Sequence, residues 1–207
     1  MHGSIDIRID SAFCFKYLID FASPAAIKTE VIKICGALIR VVNDKFPPEL
    51  KIQIFFSLRL MLVKAAALVR AMVAQLQTTL LRAIADPQSN SEVRQVVIEN
   101  LLLLIKMTPK ADPIVKELAS QLDGTKVDGE QKMQISLALA YIIREKGKTI
   151  QEAISKQVYQ VLSGIVVDRK LEMNDRVIVN SSICLGFLSA YSSDPSQMKD
   201  LFYAFDG

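Results

Sequence analysis

The sequence predicts an all-α fold, a right-handed solenoid of stacked helix pairs, on three observations. Apolar residues recur every three or four positions along nearly all of the 207 residues. Prolines fall between these apolar runs and never inside them. Acidic and basic residues alternate at the joints with a period near 40 residues.

The opening residues 1–4 read as an expression scar and are set aside. Residues 5–10 alternate apolar and polar, which taken alone suggests a strand. Ile5, Ile9, Phe13, Tyr17 and Phe21 are spaced by four, however, and predict a helix over 5–22. Four full helix pairs are expected next, over 27–64, 68–107, 111–146 and 149–192. Their stripes include Ile27, Val31, Ile34, Leu38 and Val41, then Leu50, Ile54, Leu58 and Leu62. Val69, Met72, Leu76 and Leu80 lead into Val93, Val97, Leu101 and Leu104. Ile114, Leu118 and Leu122 precede Met133, Leu137 and Tyr141. Ile150, Ile154, Val158, Val161 and Ile165 precede Val177, Cys184, Leu185 and Leu188. Met198, Leu201, Phe202 and Phe205 predict a last helix over 195–207. The whole of 5–207 is then one array of about ten helices, with a half-repeat at each end. Asp112-Pro113 and Asp194-Pro195 read as N-cap followed by first helical residue.

The longer period comes from charges. Asp44, Asp86, Asp123 and Asp168 end the first helices, and Lys51, Arg94, Lys132 and Arg176 open the second. Successive bases lie 43, 38 and 44 residues apart, and Arg8 lies 43 before Lys51. HEAT repeats have a period of about 40–47 residues, so the array is read as HEAT repeats, with 5–22 the second helix of a truncated repeat. A lone helix pair cannot bury two apolar faces. Stacking buries them and brings each Asp near the base of an adjacent turn.

Composition narrows the function. Hydrophobic residues make up 51% of the chain, enough for a continuous core, and the net charge is only +3. That charge is too small for nucleic-acid binding by bulk electrostatics, and no direct nucleic-acid contact is expected. Cys14, Cys35 and Cys184 form no C-x-x-C pair and read as free, buried thiols of a reducing compartment. No apolar run of spanning length is found, so no membrane is expected and a cytoplasmic location is.

Chemistry is sparse as well. The sole histidine is His2, which removes Ser-His, Cys-His and His-metal arrangements. No G-x-G-x-x-G or G-x-x-x-x-G-K loop occurs. Carboxylate pairs such as Glu117 with Asp123 sit at helix ends or on polar faces, where solvation and capping account for them. The expectation is a binding protein, not an enzyme, without cofactor or metal. Lys45, Lys51, Arg82 and Arg94 gather around two consecutive inter-helix turns. They read either as rungs of the stack or as a docking ridge.

Several strings resemble a known family in the same order and spacing. They are Gly36-x-Leu38-Ile39-Arg40-Val41-x-x-Asp44-Lys45-Phe46, then Gln75-Leu76-Gln77-Thr78-Thr79 with Ala83 and Asp86. Val93-Arg94 and Asp112-Pro113-Ile114-Val115-x-Glu117-Leu118 follow. Over about 30–125 the chain resembles the general control non-derepressible translational activator family. That resemblance implies a long HEAT scaffold that associates with translating ribosomes. Such scaffolds activate the kinase of the initiation factor 2 alpha subunit in amino-acid starvation. It further implies that the chain is a fragment of the carboxy-terminal region, which binds the kinase's RWD domain. Arg94 is then the first candidate for the contact, supported by Lys51, Arg82 and Lys45. The stretch 86–91 is longer than the family's usual turn. Competing expectations are a ribosome-contacting segment and a generic HEAT scaffold of the transport-receptor or phosphatase type.

Overall fold

The computed structural model describes residues 4–124, 127–167 and 174–192. All regular structure among them is helical. The chain divides into two compact units, Met1–Thr108 and Pro109–Gly207. The expected helix over 195–207, with Phe202 and Phe205, lies outside the described residues, as does Asp168.

The first unit contains α1 (Ile5–Phe21), α2 (Pro24–Ile27), α3 (Val31–Val42), α4 (Pro48–Lys64), α5 (Ala66–Val69), a 3-10 turn (Arg70–Met72), α6 (Val73–Ala85) and α7 (Ser91–Met107). Consecutive helices α3 and α4 pack together, as do α6 and α7. The second helices of the pairs form a row, α1 on α4 on α7. Stacking one pair upon the next in this way is the arrangement of an α-solenoid. Lys64 shows that α1 and α4 run the same way. It ends α4, and its ammonium donates to the carbonyls of Ile19 (3.0 Å), Ala22 (3.2 Å) and Asp20 at the end of α1. The cation thereby satisfies orphan carbonyls and meets the negative end of the α1 dipole.

The second unit repeats the scheme. It contains α8 (Asp112–Asp123), α9 (Gly129–Lys146), a 3-10 turn (Gly147–Thr149), α10 (Glu152–Val167) and α11 (Asp175–Tyr191). Here α8 pairs with α9 and α10 with α11, while α8 stacks on α10 and α9 on α11. Tyr191 at the end of α11 donates through its hydroxyl to the Arg144 carbonyl at the end of α9 (3.3 Å). Its ring lies so close to Gly147 that a Cβ there would meet ring carbons at 2.4 and 2.6 Å.

Local chemistry sets the helix starts. Asn90 Oδ1 accepts from the Val93 N–H (2.9 Å), and Asp128 Oδ1 from the Gln131 N–H (2.7 Å). Ser23 Oγ accepts from Ala26 N–H (3.2 Å), with Pro24 at the first helical position. The core of the first unit is built on Leu50, Ile54, Phe55, Leu58, Met61, Leu101 and Leu104, all essentially inaccessible. Truncating one such side chain to Ala costs about 2–5 kcal/mol.

Five expectations need correction. The stripes over 27–41 and 69–83 are not continuous helices. One breaks at 28–30 and the other passes through the 3-10 turn at Arg70–Met72. Ile27 and Val31 stay buried across the first break, as do Val69, Met72 and Leu76 across the second, so the period survives an interruption it cannot reveal. Asp112 does not cap its own helix. Its Oδ1 accepts from the Gln151 N–H (2.7 Å) and so ties the start of α8 to the start of the α10 segment. Finally, two stripes face outward. On α1, Ile5, Phe13, Tyr17 and Phe21 are exposed, and Ala12 and Ile19 are the buried residues. On α9, Leu137 and Tyr141 are exposed, and the core face is Ile135, Ala138, Leu139, Ile142 and Ile143. Helix α9 is apolar on most sides, so a spacing of four fits several faces equally well.

No single helix among the described residues is long and apolar enough to cross a membrane. Pro48–Lys64 and Ala66–Ala85 reach that composition only together, across a bend of 106°.

Candidate docking surface

The candidate surface lies in the first unit, where the turn 43–47 between α3 and α4 meets the turn 86–90 between α6 and α7. The turn 86–90 is held from within. Asp86 Oδ1 accepts from the Gln88 N–H (2.9 Å), and Ser89 Oγ donates to the Ala83 carbonyl (3.0 Å). These local bonds let short polar side chains replace helix hydrogen bonds as the chain reverses.

The two turns are joined by one ion pair. Lys51 Nζ lies 3.3 Å from Asp86 Oδ2, with the side chains 13% and 28% accessible. It links the start of α4 to the end of α6, one repeat further on. Beside it is a groove of about 350 Å³ lined by Val42, Asn43, Lys51, Phe55, Arg82 and Asp86. Val42 and Phe55 are buried core residues, whereas Arg82 is exposed in the last turn of α6, where the helix dipole favours a cation. Lys45 is exposed on the neighbouring turn.

The four basic residues singled out in the sequence therefore separate. Lys51 and Arg82 share the groove, and Lys45 stands exposed on the turn beside it. Arg94 is only 5% accessible at the start of α7, so its guanidinium does not lie on the surface. Sequence reasoning missed other ties between repeats. Asn100 is fully buried in α7 and donates to the Phe55 carbonyl of α4 (3.1 Å) and to the Val96 carbonyl (2.9 Å). Arg59 of α4 pairs with Glu99 of α7. Arg59 and Glu99 are 40 residues apart, and Phe55 and Asn100 are 45 apart, close to the repeat period. Pairing across the repeat period was the signal available.

No group of three His, Cys, Asp or Glu side chains that could hold a metal occurs among the described residues. Cys35 and Cys184 are buried, and desolvation pushes their thiols up to about 11 and about 12, away from the reactive thiolate. What the groove offers is an apolar floor with a basic edge.

Comparison with known proteins finds relatives along nearly the whole chain. The chain is 28% identical over 201 residues, 97% of its length, to the eIF-2-alpha kinase activator GCN1 of Saccharomyces cerevisiae. It is equally identical over 192 residues to the human stalled ribosome sensor GCN1, and over 189 residues to the protein ILITYHIA of Arabidopsis thaliana. The chain is similar to a segment of GCN1. It spans about 7% of the length of each of these relatives. The likeness runs well past the stretch 30–125, over 91–97% of the chain. No family profile matches the chain, and no solved structure matches it.

Proposed function

We propose that the chain is a protein-binding segment of a translational activator, and that it docks the RWD domain of the kinase of initiation factor 2 alpha. The observation that carries this is the basic-edged groove between consecutive turns, in a chain similar to eIF-2-alpha kinase activators. Arg82 and Lys45 make the direct contacts, because they are exposed. Lys51 lends part of its charge while holding Asp86, and Arg94 acts as a positioning residue at the start of α7. The partner surface is acidic, with a small apolar residue that lies over the aliphatic edge of the groove beside Val42. In this reading the whole scaffold activates the kinase on stalled ribosomes in amino-acid starvation. Ribosome contact is the second reading, favoured by the human relative's description as a stalled ribosome sensor.

The test is binding of the RWD domain to the chain and to its Lys45→Glu/Arg82→Glu variant. The double variant should keep its helical circular dichroism and melting temperature and lose affinity about tenfold or more. Arg94→Ala should lower affinity and melting temperature together. Undiminished RWD binding by the double variant refutes the docking role of the groove. Salt-sensitive ribosomal RNA binding lost in the same variant would favour ribosome contact instead.

A further inference from the structure

A second surface lies in the other unit, on the row formed by α9 and α11. Outward-facing residues of neighbouring helices in a repeat array are ordinarily polar, because nothing stacks on that side. In the first unit the α4–α7 part of the corresponding row is bridged at its accessible surface by an ion pair, Arg59 with Glu99. In the second unit it is apolar. Leu137 and Tyr141 stand one helical turn apart on α9 and are 46% and 40% accessible, and Ile183 on α11 is 45% accessible. Together with Ala140 and Phe187 they border a groove of about 240 Å³.

The groove has fixed walls. At one end Asn180 Nδ2 donates to Ser136 Oγ (3.0 Å) and links α11 to α9. At the other, the Tyr191 hydroxyl bonds the Arg144 carbonyl, and the Tyr191 ring stacks with Phe187 at 6.2 Å between centroids. The same end carries positive charge. The Arg144 guanidinium lies 4.9 Å from the centroid of the Tyr141 ring, and Lys148 Nζ lies 5.7 Å from that of Tyr191. Arg144 also approaches Glu145 at 3.6 Å, but both side chains are about half accessible, so this is a weak pair that a partner can replace.

We propose that this groove receives an amphipathic helix from a partner protein, with apolar side chains one turn apart and an acidic residue in the following turn. Charge complementarity fixes that chemistry. The apolar side chains of the partner lie between the Leu137/Tyr141 and Ile183/Phe187 ridges, and its carboxylate meets Arg144 and Lys148. Because the walls are already held in place, little conformational entropy is lost on docking. This surface is independent of the basic groove in the first unit.

Two short synthetic helix-forming peptides with the same Leu stripe, one carrying Glu and one Lys in the last turn, test the proposal. Each is titrated into the isotope-labelled 207-residue chain and followed by NMR. The acidic peptide should bind and shift amides of α9 and α11. Tyr141→Ala and Ile183→Ala should each weaken it about tenfold, with helical circular dichroism retained. Arg144→Glu should reverse the preference toward the Lys peptide, and Arg82→Glu should change nothing. The proposal is overturned if neither peptide binds. It is overturned equally if both bind alike irrespective of Arg144→Glu, or if the shifts fall on the aromatic face of α1.

Discussion

At the residue scale, burial decides what a side chain can do. Cys14 is exposed, while Cys35 and Cys184 are buried. A maleimide applied to the native chain should therefore modify Cys14 alone, with all three reacting in denaturant; mass spectrometry of the labelled peptides checks this. The buried thiols also link stability to alkaline pH. Their ordinary value is 9.0, and in the folded chain they keep their protons up to about 11 and about 12. Between those values the unfolded chain binds fewer protons than the folded one, so stability is full below pH 9 and falls as pH rises. The slope approaches about 1.4 kcal/mol per pH unit for each thiol. Urea unfolding of the chain and of a Cys35→Ala/Cys184→Ala variant at pH 8 and pH 10 measures it. The stability difference between the two should shrink at the higher pH. Arg94 makes the same point about the site. Its place at the start of α7 was legible, because a base recurs at that offset in each pair. Its burial was not, because exposure depends on what packs over it.

At the element scale, the helices are joined by ties that bridge one repeat to the next. The Lys51–Asp86 pair is largely sheltered, and Asp86 also holds its own turn through Gln88. Asp86→Ala should therefore cost about 1–2 kcal/mol. A double-mutant cycle with Lys51→Ala should return a coupling of about 1 kcal/mol. Zero coupling would mean that the rung is a surface pair with no structural role. The alternation of acids and bases predicted a ladder between adjacent turns, and Lys51 with Asp86 is one of its rungs. Asp44 precedes Lys51 by only seven residues, yet Lys51 reaches Asp86, which belongs to the next pair. Pairing follows the stacking of repeats, not nearness in the chain.

At the scale of the whole molecule, each helix draws its stability from immediate neighbours, as in any repeat array. In the first unit α4 lies against α1, α3 and α7, whereas the principal neighbour of α1 is α4. Hydrogen exchange should therefore find the amides of α4 among the slowest in that unit and those of α1 among the fastest. Equal protection of the two would refute nearest-neighbour stabilisation there. The aromatic face of α1 follows the same logic: on its outer side Phe13 meets Tyr17 edge to face at 4.8 Å between centroids, and Tyr17 stacks with Phe21 at 6.3 Å.

The sequence by itself determined that this chain is helical, that its helices come in pairs, and about where they begin and end. Those properties are local, since apolar spacing, proline position and capping residues act within one or two turns. Only the tertiary structure decided which face of an apolar helix is inside. On α9 several faces are apolar enough to be core, and packing against α8 and α11 selected one, leaving Leu137 and Tyr141 outside. The tertiary structure also decided which basic residues are accessible. Lys45, Lys51, Arg82 and Arg94 are alike in composition and in position near the turns. Stacking buried Arg94, paired Lys51 and left Lys45 and Arg82 at the surface.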